Sequence, residues 1–380
     1  MRKKQAVATI LLTSSGFIAS TLEAFGVPAP LPSMSGPLTA NPNPLAIEAG
    51  SIGTLDLTGA ISGLAFGQTN AAPADRSAAA DIGNAQLFLQ STTGWLQFFV
   101  QLGAYTLPSL GTPYVNPNRT ANQTYGFVPE AYLKVTPSDE ISVEFGKLPS
   151  LIGLESTFTF ENANIERGLL WNQTSSVSSG IQVNYNQGQW NASISWNDGY
   201  YSGRYNWVTA LVAYALDGTQ TLTFVAGANL GHTGYSSFAT PLAQNNGAVA
   251  DLAYSGTLGG WTFTPYVQFS RAPADNRSGL HSGGSAFGAA LLASYRLSDD
   301  WSMAVRTEKL ITAGNLNLLY GAGSSAWSTT LTPAYQEGVF FARAEASYVG
   351  IENGKNGLAL GRSLDEKSQA RLMLETGVLF

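Results

Sequence analysis

The chain has no cysteine and only two histidines in 380 residues. Disulfide scaffolds and thiolate metal sites are therefore excluded, and a zinc centre has almost no nitrogen ligands to draw on. Charge is scarce as well: charged residues make up 12% of the chain, against roughly 25% in ordinary soluble domains. The 19 Lys and Arg are outnumbered by 25 Asp and Glu, which leaves no basic footprint for nucleic acid. Beyond the N-terminus no stretch approaches the roughly 18 to 20 apolar residues that a membrane helix requires. What remains is plentiful in apolar and small residues, with 44% hydrophobic positions, 41 Gly, 8 Trp, 16 Tyr and 18 Phe. Such a chain buries too much area to be disordered and carries too little charge to coat a soluble surface. Strands with one face in lipid and the other around a wet interior explain this composition best.

The first residues have the layout of a secretory signal over 1–24: Arg2, Lys3 and Lys4, then an apolar stretch from Ala6 to Ala19, then Ala24 as a cleavage position with Leu22 two before it. Residues 25–50 are rich in Pro, Ala and Asn and follow neither structural period, so an extended N-terminal segment is expected there. From Leu55 onward period two dominates. In Trp190-Asn191-Ala192-Ser193-Ile194-Ser195-Trp196-Asn197 every second residue is apolar and every intervening one small and polar. The pattern recurs in Trp261-Thr262-Phe263-Thr264, along 177–185 and along 221–230. These are strands of about ten residues, the length a tilted membrane strand needs.

Connections turn strands into an architecture. Short turns are expected at Thr92 to Gly94, Pro137 to Asp139, Gln187 and Gly188, Asp217 and Gly218, Leu258 to Gly260, Ser298 and Asp299, and Gln336 to Gly338. Between them fall longer polar loops near 68–79, 106–122, 148–174, 198–205, 231–246, 272–284, 312–324 and 350–368. The strict alternation of short and long predicts an all-β transmembrane antiparallel barrel over 51–380, with about sixteen strands, as in Gram-negative outer membranes. Trp190, Trp261 and Trp301 each follow a short turn with apolar parity and should share one membrane interface. Trp196, Tyr200, Tyr201, Tyr205 and Trp207 should mark the other. Pro129, Pro265 and Pro333 fall within proposed strands and stand against the scheme, because proline costs a ladder hydrogen bond unless a bulge or strand end absorbs it. A soluble, all-β sandwich or solenoid is the alternative, and it leaves the shortage of surface charge unexplained.

The segments Val143 to Glu155 (VEFGKLPSLIGLE) and Asn162 to Trp171 (NANIERGLLW) resemble the β-barrel porins of the OmpL-like family. So do residues 40–50 (ANPNPLAIEAG) running into SIGTLDLTGAISG, the WNDGYYS run at 196–202, and Gln369 and Arg371 ahead of the terminal Phe380. The resemblance implies a porin of the bacterial outer membrane whose third long loop folds into the lumen, a member of a class that passes solutes by passive diffusion and ion transport through a channel. It carries no substrate with it.

Parity assigns the inward charges without the family. They are Arg296, Arg306, Glu308, Arg343, Glu345, Arg371 and Glu375 on the last strands, and Asp56, Glu130, Lys134, Glu144 and Asp251 earlier. Lys309 has lipid-facing parity, near a strand end where it can snorkel. The third loop brings Glu155, Glu161, Glu166 and Arg167. Two arrangements are open: the loop faces an arginine wall across a narrowed, polarised pore, or Arg306 with Glu308, Arg343 with Glu345 and Arg371 with Glu375 simply brace the wall. His232 and His281, one in each of two outer loops, have no fixed carboxylate nearby in sequence and make a poor catalytic set, and no cofactor is implied. Expected partners are outer-membrane lipids, the barrel-assembly machinery through the last strand ending at Phe380, and further copies in a homo-oligomer such as a trimer. A receptor or adhesin barrel closed by its loops or N-terminal segment, and an outer-membrane hydrolase, are the alternative functions.

Overall fold

The computed structural model describes residues 34–50, 53–73 and 75–380. The expected signal over 1–24 and the first part of the 25–50 segment lie outside the described residues. A short strand, β1 (Leu45–Glu48), precedes sixteen longer ones: β2 (Thr54–Gln68), β3 (Ala78–Ser91), β4 (Leu96–Tyr105), β5 (Ala131–Val135), β6 (Ile141–Pro149), β7 (Val177–Gln187), β8 (Trp190–Asn197), β9 (Trp207–Ala215), β10 (Gln220–Asn229), β11 (Ala248–Leu258), β12 (Trp261–Ala272), β13 (Gly284–Arg296), β14 (Trp301–Gly314), β15 (Ser325–Glu337), β16 (Phe340–Glu352) and β17 (Ser368–Leu379). Each pairs antiparallel with its sequence neighbour. Leu379↔Ala60 to Arg371↔Gln68 then joins β17 to β2 and closes a sixteen-stranded barrel with no open edge.

The expected turns all lie between paired strands, at one end of the barrel. Gly188 (φ +61°) and Gly338 (φ +58°) supply the left-handed conformation that such tight turns require. At the other end the loops are long, and the second carries a helix, α1 (Pro117–Gln123), capped by the Asn116 side chain. Two of the troublesome prolines are accommodated within strands. The β11–β12 register is interrupted between Ala253↔Tyr266 and Gly256↔Phe263, where Pro265 sits, and the β15–β16 register between Leu331↔Ala346 and Ala334↔Arg343, where Pro333 sits. In each case the proline keeps its register on the opposite flank, with Leu291 or Met303. Pro129 is the misplaced one: β5 begins only at Ala131, so Pro129 belongs to the second loop.

Alternation sets the two faces. Ile194, Phe224, Phe263, Phe287 and Leu331 point out with the apolar parity, and Ser193, Thr223, Thr264 and Thr330 point in. At the turn end Trp190, Trp261 and Trp301 are exposed on the outside, and each stacks on the tyrosine directly across the ladder: Tyr214, Tyr295 and Tyr335, at 4.6, 4.8 and 5.1 Å between ring centroids. Such pairs add about 0.5–1.5 kcal/mol beyond their area and mark one membrane interface. The opposite belt differs from expectation. Trp196 and Tyr205 pair outside, whereas Tyr200 and Trp207 are 4% and 0% exposed and meet edge-to-face inside the barrel. Their hydrogen bonds explain the reversal, because Trp207 Nε1 donates to Asn245 O and Tyr200 OH to Gln173 O, both within the mouth. Lys309 meets Glu352 at 2.5 Å on the loop-end rim, so its outward charge is paired.

Candidate pore site

The lumen is shaped by the third long loop, residues 150–176, which leaves β6, crosses the interior and returns to β7. Its apolar side chains Phe158, Phe160, Ile165, Leu169 and Leu170 are buried inside the barrel. One end packs Leu151 and Ile152 on Leu211, Val225 and Val249 of β9–β11, and Gly153 N–H donates to Asp251 Oδ2 at 3.0 Å. Further on, Leu170 lies against Gly288 of β13, where any side chain would collide with it. Ile165 sits with Leu64, Phe66 and Met373 of β2 and β17.

Charge fixes the rest of the loop to the wall. Arg306 Nη1 lies 2.5 Å from Glu155 Oε1 and also donates to Glu166 O. Glu308 accepts the backbone N–H groups of Leu169 and Leu170, and Glu345 those of Ile165 and Glu166. Arg343 donates to Asn162 O and Thr159 O and pairs with Glu375, while Arg371 pairs with Glu166. Glu375 also accepts from Thr159 Oγ1, Ser62 Oγ and Asn84 Nδ2. Glu308 and Glu345 thus take backbone donors that the loop, having almost no regular secondary structure, cannot satisfy internally.

Both expectations for these charges are corrected in part. The loop does bend in to meet the arginine wall, but it is joined to it directly by ion pairs and hydrogen bonds rather than facing it across an opening. The bracing pairs are also re-drawn: Arg306 approaches Glu308 at 3.4 Å, yet Arg343 pairs with Glu375 and Arg371 with Glu166. Residues two apart on one strand are separated by about 7 Å, whereas directly opposed residues such as Arg343 and Glu375 are about 5 Å apart. Arg296 does not belong to this wall. It is exposed at the turn-end rim of β13, beside a recess of about 380 Å³ shared with Thr39, Asn43 and Trp301. Glu161 caps the loop's own turn through Phe158 N–H. Arg167 is fully buried, with its guanidinium 5.5 Å from the Trp171 ring centroid, and its backbone joins Pro108 O and Leu110 N–H of the second loop.

Two further parts were invisible to parity listing. The inward face of β6–β8 carries a network of small polar groups, in which Gln182 donates to Asn184 and Glu144, Asn184 to Ser142, and Ser193 to Asn184. Lys134 lies 3.9 Å from Glu144. Asn191 Oδ1 on β8 and Thr223 Oγ1 on β10 are buried with no protein partner among the described residues, as are the three guanidinium nitrogens of Arg167 in the loop. The second part is an apolar floor at the turn end, built from Ala60, Phe88, Phe99, Phe341 and Leu379 together with Phe158 and Phe160 of the loop. Residues 34–40 enter the barrel across it. Leu38 is 2% exposed and Met34 packs in the same cluster.

The family profile of the beta-barrel porin-2, OmpL-like proteins matches residues 54–380, the whole of the closed barrel. The chain belongs to the OmpL-like β-barrel porin family. This OmpL-like porin is a protein of the bacterial outer membrane. No curated protein matches it in sequence. In structure it is similar to the anion-selective porin from Comamonas acidovorans (TM-score 0.61, 12% identity, covering 86% of this chain and 99% of that one). It is also similar to the outer-membrane protein OmpT of Vibrio cholerae (0.59, 12%, 87% and 99%) and to the outer membrane channel DcaP of Acinetobacter baumannii (0.58, 10%, 86% and 97%). At these identities the likeness is one of fold.

Proposed function

We propose that this OmpL-like porin passes small polar solutes by passive diffusion along an off-centre path, between the third loop and the inward face of β5–β8. The loop's hydrogen bonds and apolar contacts run to β2–β4 and β9–β17, which places its mass on the far side of the lumen. The observation that carries the reading is the polar network Ser142, Glu144, Gln182, Asn184 and Ser193, continued on β8 by the unpartnered Asn191 Oδ1. Buried polar atoms without a protein partner are satisfied by water, so this strip is wet. Glu144 faces Lys134, and Glu130 adjoins Lys147, which stands opposite Ala131 in the ladder, so the strip is close to charge balance.

Catalysis is no part of this reading. His281 sits in an exposed outer loop with Nδ1 3.0 Å from Asn276 Oδ1, and His232 is exposed in another. A hydrolytic base needs a fixed nucleophile or water within reach, and the side-chain partner of His281 is an amide oxygen rather than a hydroxyl. Association into a trimer, the form of one solved structure of V. cholerae OmpT, is a second element of the proposal. Cross-linking of the protein in native membranes tests it, and a monomer-only ladder rejects it.

Cysteine scanning tests the path. Modification of Ser193→Cys by a charged thiol reagent should lower conductance in a planar bilayer. Thr330→Cys, behind the docked loop, should react slowly and change it little, and Ile194→Cys should report lipid. Block at Thr330→Cys with none at Ser193→Cys places the path elsewhere.

A further inference from the structure

We infer that residues 34–44 are a tethered plug, inserted from the turn end beneath the third loop, whose withdrawal enlarges the conducting path; the inference rests on the passive-diffusion reading above. The direction of entry follows from three anchors. β1 pairs with the start of β2, from Leu45↔Leu57 to Glu48↔Thr54, and lies below the chain end, where Phe380 and Gly59 exchange backbone hydrogen bonds of 2.9 and 2.7 Å. Higher up, Thr39 meets Gln336, which flanks the β15–β16 turn: Thr39 N–H donates to Gln336 Oε1 at 2.8 Å, and Gln336 Nε2 donates back to Thr39 O at 2.8 Å. Highest of all, Ser35 reaches the loop. Its N–H and hydroxyl both donate to Glu161 O at 2.7 Å, and Ser156 Oγ donates to Ser35 Oγ at 3.0 Å. The segment therefore climbs from the rim to the underside of the constriction.

Its chemistry suits reversible docking. Leu38 and Met34 fill an apolar floor of Phe88, Phe341 and Leu379, and Gly36 passes so close to the loop that a Cβ would lie 2.5 Å from Asn162 C and O. All the hydrogen bonds named above are neutral, and those at Gln336 are exposed to solvent. No buried ion pair joins the segment to the wall among the described residues, whereas the loop above has several. Asn41-Pro42-Asn43-Pro44 then leads to β1. Two prolines restrict this linker, which bends at Pro42 and Asn43 with Asn43 N–H donating to Asn41 Oδ1 at 3.0 Å, so it loses little entropy on docking and keeps the free plug near its site.

The chain has no cysteine of its own, which makes a lock straightforward. Ser35 and Ser156 have their hydroxyls 3.0 Å apart, so the double substitution Ser35→Cys/Ser156→Cys should close a disulfide on oxidation. The full-length protein, verified as folded by heat-modifiable gel mobility, is measured in a planar bilayer before and after reduction. Oxidised protein should show one steady low level. Reduction should restore fluctuations to a level higher by roughly twofold or more, and Leu38→Asp should hold that higher level without reductant. Equal, steady conductance in the oxidised, reduced and Leu38→Asp proteins overturns the plug while leaving the diffusion path intact. Silence of all three overturns the path and the plug together, and failure of the folded double variant to form the disulfide overturns the placement of Ser35.

Discussion

Residues 150–176 and residues 34–44 both cross the lumen, and they are held there by different forces. The third loop is anchored by Arg306, Arg343 and Arg371 and by the carboxylates of Glu308, Glu345 and Glu375, all buried, each satisfying backbone or side-chain groups of the loop or pairing beside it. The N-terminal segment is held by two apolar side chains and a few neutral hydrogen bonds. A buried charge that loses its partner costs several kcal/mol, whereas a neutral hydrogen bond to a group that water can replace costs about 1 kcal/mol. The same barrel therefore presents a permanent constriction and a removable one.

The largest test breaks the loop's anchoring. Arg343→Glu sets a carboxylate against Glu375 and removes the donors to Asn162 O and Thr159 O. It should cost about 3–5 kcal/mol, the range for breaking a buried pair, read as a lower urea midpoint for the refolded barrel. Charge reversal here should act on stability far more than on ion preference. A barrel of unchanged stability with an altered reversal potential would show that Arg343 faces an open pore instead.

Next in size is Gly36→Ala. The added methyl would lie 2.5 Å from Asn162 C and O, so the segment should leave the floor while the barrel keeps its unfolding midpoint. Limited proteolysis reads the release as new cleavage within residues 34–44. Uncleaved protein with a lowered midpoint would make the segment as structural as the loop and erase the contrast.

Strand number, turn positions and outward face were legible because period two, tight-turn residues and tryptophan after a turn are local signals. The loop's inward fold came from family resemblance, and its exact pairings were hidden because the Arg343–Glu375 contact depends on cross-strand register, which alternation within one strand does not specify. Tyr200 and Trp207 were misplaced for a similar reason: their partners Gln173 and Asn245 come from other loops. The apolar floor did leave a mark. Leu87-Phe88-Leu89, Phe98-Phe99 and Phe340-Phe341 each interrupt the alternation near a short turn, and an apolar pair on consecutive residues forces one side chain inward. Three such interruptions at one end of a barrel point to an interior surface that something apolar covers. That Met34 and Leu38 cover it was unreadable, since an extended Pro-rich stretch has no periodicity.

A smaller effect is expected on the wet strip. Glu144→Gln removes one of its charges without touching the loop, and the reversal potential under a salt gradient should move toward anions while the urea midpoint stays put. The conservative change Glu308→Gln should do the reverse, lowering the midpoint and leaving selectivity alone, because its oxygens serve Leu169 and Leu170 N–H. A selectivity shift from Glu308→Gln that exceeds the one from Glu144→Gln would move the conducting path to the arginine side.

The finest comparison sets one neutral hydrogen-bonding side chain of the loop against one that holds the segment. Asn164 Nδ2 donates to Thr332 Oγ1 at 2.7 Å within the docked loop, and Gln336 holds Thr39 at the rim. Each substitution to Ala removes bonding worth about 0.5–1.5 kcal/mol. For Asn164→Ala that loss is small beside the charges that remain, so the loop should stay docked: the midpoint falls slightly and the conductance trace is unchanged. For Gln336→Ala the loss is a large share of what holds residues 34–44, so the midpoint should stay constant while brief high-conductance events become several-fold more frequent, since about 1.4 kcal/mol is tenfold in an equilibrium. Equal traces from the two variants would mean that location in the lumen, rather than the kind of force, decides which segment moves.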